Sequence, residues 1–311
     1  MPKNKDIAIF ITIAVLLIGG VLFARSRSVP TLSTPANTKL QVTSSFYPLY
    51  FFATQIAGNK ADITNITPTG AEPHDYEPSV QNIIEMNNSR LLILNGGGLE
   101  AWGDKVTQTL DPLHTLTITV GKDITNQRII EGSNNVIDPH IWLSPLLAKN
   151  MVRKIVAGLE QVDPANSAYY EANAQTLTQK LSDLDALYKN GLANCAQRDI
   201  VTSHSAFGYL ATAYHLNQVP IVGLSPDAEP SPKALGVVID FAKKNNVKYI
   251  FFESLASPKL SETIAREVGA QTLVLNPIEG LTPNEMVQGK DYFTEMQSNL
   301  KSLQLALECA N

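Results

Sequence analysis

The sequence predicts an α/β protein with two lobes, each containing a mostly parallel four-stranded sheet flanked by helices, joined by a long rigid helix. Three observations support this fold class. The chain has 311 residues, enough for more than one domain. From residue 39 onward, short β-branched runs alternate with longer amphipathic segments, as in βαβ units. A long helical pattern separates two groups of four candidate strands.

The candidate strands fall four in each half of the chain, at residues 40–44, 62–67, 90–95, 116–120, 200–203, 219–224, 249–253 and 272–276. Helical patterns lie between them, at residues 48–57, 79–88, 206–216, 232–245 and 258–268. No residue-level repeat relates the halves, so we expect only the architecture to repeat.

The segment between the two halves is unusually helical. Residues 145–160 form one helical pattern, and Asp163-Pro164 then offers an N-cap and a first-turn proline. A second pattern runs over residues 165–193, with apolar side chains at helical spacing: Tyr169, Leu177, Leu181, Leu184 and Leu187. A helix of roughly 29 residues would be about 43 Å long, which suits a spine between two lobes. The alternative is two shorter helices with a break near Asn173 or Asn190.

These patterns divide the chain into four parts. We expect an export or anchor segment with its spacer, an N-terminal lobe, a linking helix and a C-terminal lobe, at residues 1–38, 39–162, 163–194 and 195–311.

The N-terminus carries an uncharged apolar run at residues 7–23, with basic residues on both sides. A signal-peptide core has about 7–15 residues and a membrane-spanning helix about 17–25, so both interpretations fit. The length favours an uncleaved anchor over cleavage near Ala24-Arg25-Ser26. Either way the rest of the chain is exported, following a Ser-, Thr- and Pro-rich spacer at residues 25–38.

The chain carries a formal charge of −5. Four of its 24 basic residues and one of its 29 acidic residues lie in the first 27 positions, so the remainder is more acidic still. This balance argues against binding to nucleic acid or to anionic membranes, because both require a basic surface.

Three of the five histidines follow strands: His74, His140 and His204. In open α/β sheets, ligands bind at the carboxyl ends of the strands, and imidazole is a common zinc ligand. These histidines could form a metal site, although each could also be solvated or structural. We expect only local roles for His114, in a turn, and His215, near a helix end.

Five segments together resemble the zinc-specific solute-binding proteins of bacterial ABC importers: AEPHDYEPS (71–79), DPHIWLSP (138–145), SHSAFGYLA (203–211), GLSPDAEPSP (223–232) and NPIEGLT (276–282). The resemblance extends over roughly residues 39–309. It implies two lobes joined by a rigid helix, a zinc ion between them, and a membrane permease as partner.

The resemblance also implies the zinc ligands. His74, His140 and His204 match the family's histidines, and a carboxylate from the loop after the last strand completes the set. Members place an Asp where this chain has Asn276, or a Glu where it has Glu279. We expect Glu279, because an amide is a weak zinc ligand. Three imidazoles and one carboxylate suit zinc better than manganese.

The chain departs from many zinc-specific members, which carry a His-rich loop between the first two ligands. Here residues 121–137 are expected to form a short polar loop without histidine. Asp75, Asp138 and Glu253 are candidates to orient the ligating imidazoles. The acidic segment 225–230 could contact the permease or close the cleft. Alternatively, Asp227 is a turn residue and Ser231 the N-cap of the next helix.

A fourth protein ligand leaves no open position for catalysis, so the chain is not expected to be an enzyme. We expect a monomer. The alternatives are a zinc-dependent hydrolase, or a relative that binds manganese or iron. Relatives also pair two cysteines at these places in the chain, which implies a Cys195–Cys309 disulfide in an oxidising compartment. Two buried free thiols are the alternative.

Overall fold

The computed structural model describes residues 39–131 and 134–310. The candidate anchor at residues 7–23 and the spacer at 25–38 lie outside the described residues. Among the helices that are described, none combines the length and hydropathy needed to cross a membrane.

The described chain contains ten strands and ten α-helices. The first part comprises β1 (Leu40–Ser44), α1 (Tyr47–Ala57), β2 (Ala61–Asn65), α2 (Val80–Asn88), β3 (Leu91–Leu94), α3 (Gly103–Thr107), β4 (Leu116–Thr119), β5 (Arg128–Glu131) and β6 (Asn134–Ile137). Two helices follow, α4 (Pro145–Val162) and α5 (Ser167–Gly191). The last part comprises β7 (Asp199–Thr202), α6 (Gly208–Tyr214), β8 (Asn217–Pro220), α7 (Pro232–Lys244), β9 (Tyr249–Phe252), α8 (Lys259–Val268), β10 (Gln271–Val274), α9 (Pro283–Val287) and α10 (Tyr292–Ala306).

Strands β1–β4 and β7–β10 form two parallel sheets with the same connectivity. The first sheet has the order β2-β1-β3-β4, and the second, counted from its other edge, has the order β8-β7-β9-β10. Every pairing within them is parallel. The apolar sequence of β3, Leu-Leu-Ile-Leu, is fully buried because helices and loops cover both faces. The predicted α/β class and its repeated architecture are therefore confirmed.

Most predicted strand and helix ends are right to within two residues. The strand predicted at residues 219–224 is wrong in its position along the chain, since β8 lies earlier, at Asn217–Pro220. The apolar residues Ile221 and Val222, which suggested a strand, are buried but lie after the end of β8. Their N–H groups still donate to Thr202 and Ser203, but the chain then turns away from the sheet.

The expectation of a plain polar loop at residues 121–137 is also wrong in part. Strands β5 and β6 form an antiparallel hairpin there, with Ile129 opposite Val136. Four-residue strands in a polar segment give only a weak alternation in the sequence, so the pattern did not reveal them.

The long helix is present and continuous. Helix α5 has 25 residues, shorter than the predicted 165–193, and no break occurs at Asn173 or Asn190. Asn173 instead donates a side-chain hydrogen bond to the Ile56 carbonyl of α1, at 2.9 Å. Asp163 is not the predicted side-chain cap. A 3₁₀ turn precedes α5, and the Asp163 carboxylate accepts a hydrogen bond from the Tyr170 hydroxyl.

The buried face of α5 is formed by Tyr170, Ala174, Leu177, Leu181, Leu184, Asp185 and Tyr188. Two residues predicted for this face, Tyr169 and Leu187, are 37% and 48% exposed. The buried stripe passes through the neighbouring Tyr170 and Tyr188 instead, because these two residues are closer to the 3.6-residue period set by the leucines between them.

Helix α5 contacts elements from both sheets. Near its C-terminal end, Asp185 accepts a hydrogen bond from Tyr214 of α6, and Tyr188 donates one to the Met296 carbonyl of α10. One continuous cluster of buried side chains includes Phe52 beside the first sheet and Phe251 in the second. The two sheets are therefore held in one packed frame, with α5 along it.

The Cys195–Cys309 disulfide is present, as the resemblance implied. Backbone hydrogen bonds reinforce the connection, from Gln197 to the Leu307 carbonyl and from Ala310 to the Asn194 carbonyl. The bridge fastens the end of α10 to the segment that follows α5.

Breaking this bridge should lower thermal stability. A disulfide that closes 114 residues contributes about 4–5 kcal/mol in the chain-entropy model, which corresponds to a fall in Tm on the order of 10 °C. We expect a reductant to lower the Tm of the wild-type protein in a thermal unfolding measurement. A double variant, Cys195→Ala with Cys309→Ala, should have the lowered Tm with or without reductant. An unchanged wild-type Tm after complete reduction would contradict this role.

Candidate metal site

The sequence-predicted site residues lie in loops at the carboxyl ends of the strands. His204 follows β7 by two residues, and His140 follows the β5–β6 hairpin and begins a 3₁₀ turn. His74 lies in the long loop between β2 and α2, and Glu279 in the loop between β10 and α9. His74, His204 and Glu279 follow strands of the parallel sheets, which end at the same edge of each sheet, whereas His140 follows the antiparallel hairpin; the four loops meet between the two sheets.

Four side-chain atoms converge on one point. His74, His140, His204 and Glu279 each offer one ligand atom within 4.8 Å of the others. The His140 Nε2 lies 3.2 Å from the His74 Nε2, 3.3 Å from the His204 Nε2 and 3.1 Å from the Glu279 Oε1. The same Glu279 oxygen lies 3.3 Å from the His74 Nε2 and 3.4 Å from the His204 Nε2.

These distances match the edges of a tetrahedral metal site. Ligand atoms about 2.0–2.1 Å from a zinc ion at tetrahedral angles lie about 3.3–3.4 Å from one another. Of the six edges between the four atoms, the five given above measure 3.1–3.4 Å. Five edges therefore have the length expected of a four-coordinate zinc centre, and all four ligand atoms lie within 4.8 Å of one another.

Carboxylates that contact the Nδ1 atoms of two imidazoles explain why the Nε2 atoms of these rings face the centre of the cluster. The His140 Nδ1 lies 2.8 Å from the Asp138 Oδ1, and the His204 Nδ1 lies 2.6 Å from the Glu253 Oε1. A carboxylate holds the proton of a neutral imidazole on the nitrogen beside it. When both imidazoles are neutral, each Nε2 presents a lone pair, and lone pairs 3.3 Å apart repel unless a proton or another cation lies between them.

Two of the three predicted orienting carboxylates, Asp138 and Glu253, are thus in contact with imidazoles of the cluster. The prediction for Asp75 is wrong. Asp75 is exposed and accepts a hydrogen bond from the Ser225 hydroxyl, at 3.2 Å. The loop 225–230 therefore reaches the His74 loop through a serine rather than through its carboxylates. Ser231 caps α7 by accepting from the Ala234 N–H, as the alternative for this segment expected.

Glu279 is held by a buried polar network rather than by its own contacts alone. The Asn276 side chain accepts a hydrogen bond from the Ile278 N–H and donates one to Glu295. The Asn299 side chain accepts a hydrogen bond from the Asn276 N–H and donates one to the Asn276 carbonyl. Asn276 therefore fixes the loop and is not among the converging donors. The Trp142 indole N–H also donates to the Pro277 carbonyl, at 2.7 Å.

The loop before Glu279 adopts a costly backbone conformation. Ile278 has a φ of 58°, in the left-handed region that a β-branched residue rarely enters. Such a conformation costs on the order of 1–3 kcal/mol and persists only where the surroundings enforce it. The Ile278 side chain is fully buried, so packing and the hydrogen bonds of Asn276 together hold Glu279 in place.

The electrostatics of the cluster favour a bound positive charge. Burial alone would lower the pKa of His204, but the carboxylates of Glu253 and Glu279 outweigh it and hold that pKa well above its usual range. Burial would likewise lower the pKa of His140, but the carboxylates of Asp138 and Glu279 outweigh it and raise that pKa. For His74 burial prevails and lowers the pKa. Burial would raise the pKa of Glu279, but the positive imidazole of His204 holds it well below its usual range.

One half-buried acid beside the cluster, Glu72, was not predicted from the sequence. Its Oε1 accepts a hydrogen bond from the His74 N–H, at 3.2 Å. Burial and the negative charge of Glu279 raise the pKa of Glu72 to about 9, so it is neutral near pH 7. Its position two residues before His74 was the available signal. His114 and His215 are both exposed and outside the cluster, as expected.

Comparison with known proteins places these observations in a family. The family model for the periplasmic zinc-uptake complex component A, ZnuA, matches residues 42–306. The high-affinity zinc uptake system protein ZnuA of Bacillus subtilis is 39% identical over 283 residues, which cover 86% of this chain and 88% of that protein.

Two further relatives are longer or structurally characterised. The zinc-binding protein AdcA of Streptococcus pyogenes is 36% identical over 88% of this chain, but the match spans only 57% of AdcA. The crystal structure of the Zn(II)-bound ZnuA-like domain of Streptococcus pneumoniae AdcA superposes with a TM-score of 0.76 at 38% identity, covering 87% of this chain and 99% of that domain.

The raised pKa of His204 can be tested directly. Glu253→Gln removes the negative charge beside the His204 Nδ1 and leaves a side chain of the same size. Because a neutral amide stabilises the imidazolium less, the pKa of His204 should fall toward the ordinary value of about 6.5. NMR titration of the imidazole protons in metal-stripped protein measures it.

The control is Glu267→Gln, an exposed glutamate paired with Lys243, which should leave the His204 titration unchanged. An unaltered or higher pKa in Glu253→Gln would show that Glu253 does not control the charge of this imidazole.

Proposed function

The chain belongs to the family of periplasmic zinc-uptake complex component A proteins, and from this we propose that it captures a zinc ion between its two sheets and delivers it to the membrane permease of an ABC importer. The ligands in this proposal are His74, His140, His204 and Glu279. Proteins of the family are substrate-binding components of transport systems.

The observation that carries the proposal is the tetrahedral set of edges, 3.1–3.4 Å long, formed by three Nε2 atoms and one Oε1 atom. Zinc favours four-coordinate sites with nitrogen ligands, whereas manganese favours oxygen ligands and higher coordination. The donor set therefore supports zinc over manganese.

The buried acids also suit a dication. Three neutral imidazoles and the Glu279 carboxylate leave a bound zinc ion with a formal charge of +1. Asp138 and Glu253, which contact the outer nitrogens of His140 and His204, offset that charge from behind the ligands.

A carrier rather than an enzyme fits this closed arrangement. A catalytic zinc keeps a coordination position open for water or substrate, whereas four protein donors fill the tetrahedron. His140, His204 and Glu279 are also fully buried, so a substrate larger than an ion would meet no accessible metal. A zinc hydrolase would need an open coordination position and an accessible metal, and this site offers neither.

The proposal extends to the organisation of the chain. We infer an export or anchor segment at residues 1–38, lobes at 39–162 and 195–311, and a linking helix at 163–194. The shared core and α5 support a frame in which the two lobes move little on binding. The exported chain would act outside the cytoplasm as a monomer, with the permease as its partner.

Removing one donor should abolish tight binding without unfolding the protein. His140→Ala deletes a donor that contacts the other three, so zinc affinity should fall by more than the roughly 10–100-fold cost of losing an outer hydrogen-bonding partner. Competition with a chromogenic chelator measures the dissociation constant, and circular dichroism checks the fold.

His114→Ala is the matched control, because His114 is exposed and outside the cluster; it should bind zinc as the wild type does. Wild-type affinity in His140→Ala would refute the ligand assignment. Absence of zinc binding in the wild-type protein would refute the function itself.

A further inference from the structure

The proposed ligands are closed off from solvent, which raises the question of how an ion reaches them. His140, His204 and Glu279 are fully buried, and the His74 side chain is only 8% exposed. Building on the proposed zinc capture, we propose that a cavity beside Glu279 is the passage through which the hydrated ion enters and leaves the site.

This cavity has a volume of about 350 Å³ and lies beside a proposed ligand, Glu279, whose carboxylate is itself buried. Its lining includes Tyr50, Asn65 and Thr69 from the first half of the chain, and Glu279 and Met286 from the second. At about 30 Å³ per water molecule, the space is sufficient for a dication with its inner hydration shell.

The lining suits a hydrated cation chemically. The lining contains no Lys or Arg, and Tyr50 and Thr69 bring hydroxyl groups to it among apolar side chains such as Leu281. Asn65 Oδ1 and Glu279 Oε2 are both buried without a hydrogen-bond partner among the described residues. A cation that moves from the cavity into the cluster would meet these oxygens, which are costly to bury without a partner.

Glu279 is suited to transfer an ion from the cavity to the imidazoles. Its Oε1 lies 3.1–3.4 Å from all three Nε2 atoms, whereas its Oε2 contacts none of them. An ion arriving from the cavity can be bound first by Oε2. It then exchanges its waters for the three nitrogens while the carboxylate stays coordinated.

The rim of the cavity is held by few contacts. The Gly70 N–H donates to the Leu281 carbonyl, at 3.1 Å, and the Thr69 hydroxyl lies 3.2 Å from the Met286 sulfur. Met286 is 52% exposed, and its unbranched side chain has several accessible rotamers. Displacing this one side chain widens the entrance without disturbing the packed frame.

A second cavity near the site is a less suitable route. Its volume is about 610 Å³ and its lining includes Gln127, Ser205, Gly208 and Thr212, but none of the four proposed ligands. Gln127 and Thr212 are joined by a hydrogen bond of 2.9 Å. The Tyr209 hydroxyl adds a further tie, since it accepts from the Gln127 N–H and donates to the Asp138 carbonyl.

The two routes can be separated by the same substitution at two exposed threonines. Thr69→Trp fills the entrance beside Met286, and Thr212→Trp fills the second cavity. Stopped-flow mixing with Zn²⁺ gives the association rate, and transfer of zinc to excess chelator gives the dissociation rate. Equilibrium competition gives the dissociation constant.

We expect Thr69→Trp to slow association and dissociation by the same factor, about tenfold for a barrier raised by about 1.4 kcal/mol, with an unchanged dissociation constant. Thr212→Trp should have wild-type rates. Met286→Ala, which shortens the side chain at the rim, should accelerate both rates.

Three results would overturn the passage. Slow exchange in Thr212→Trp but not in Thr69→Trp would assign the route to the second cavity. Wild-type rates in all three variants would show that the ion enters by separation of the two halves. A changed dissociation constant in Thr69→Trp would show that this residue affects the bound state. Each of these outcomes requires zinc binding, so each is distinct from failure of the proposed function.

Discussion

The structure depends on one electrostatic constraint, the convergence of three imidazole nitrogens and one carboxylate oxygen on a single buried point. The Nε2 atoms of His140 and His204, whose outer nitrogens contact carboxylates, lie 3.3 Å apart and present lone pairs to each other when both imidazoles are neutral. Without a shared positive charge this arrangement is repulsive. Protons can relieve this repulsion, and the pKa values of His140 and His204 are raised because the carboxylates of Asp138, Glu253 and Glu279 stabilise the charged imidazoles. A tetrahedral dication relieves it more completely, and must displace those protons to bind.

The remainder of the fold holds the four donors at this spacing. Two sheets of identical connectivity bring the carboxyl ends of their strands toward each other, and α5 with the shared core restrains their separation. The greatest local cost lies beside Glu279. There, the left-handed Ile278 is enforced by the hydrogen bonds of Asn276 and by complete burial. Such preorganisation reduces the rearrangement required on binding, and it is built from residues that never touch the ion.

Much of this could be predicted from the sequence, because it follows from short-range patterns. Histidines at strand ends, and Asp138 two residues before His140, are visible along the chain. The contact of Glu253 with His204 was predictable only as a candidate, since it arises from the pairing of β9 with β7. The position of the half-buried Glu72, the conformation of Ile278 and the β5–β6 hairpin could not be predicted. Each depends on tertiary packing that overrides weak local preferences, as the exposure of Asp75 also illustrates.

The most direct test of this account is X-ray absorption spectroscopy at the zinc edge of the loaded protein. The account predicts a four-coordinate ion with three imidazole nitrogens and one carboxylate oxygen at about 2.0–2.1 Å, and no coordinated water. Five- or six-fold coordination dominated by oxygen, or a spectrum with fewer than three imidazoles, would contradict it.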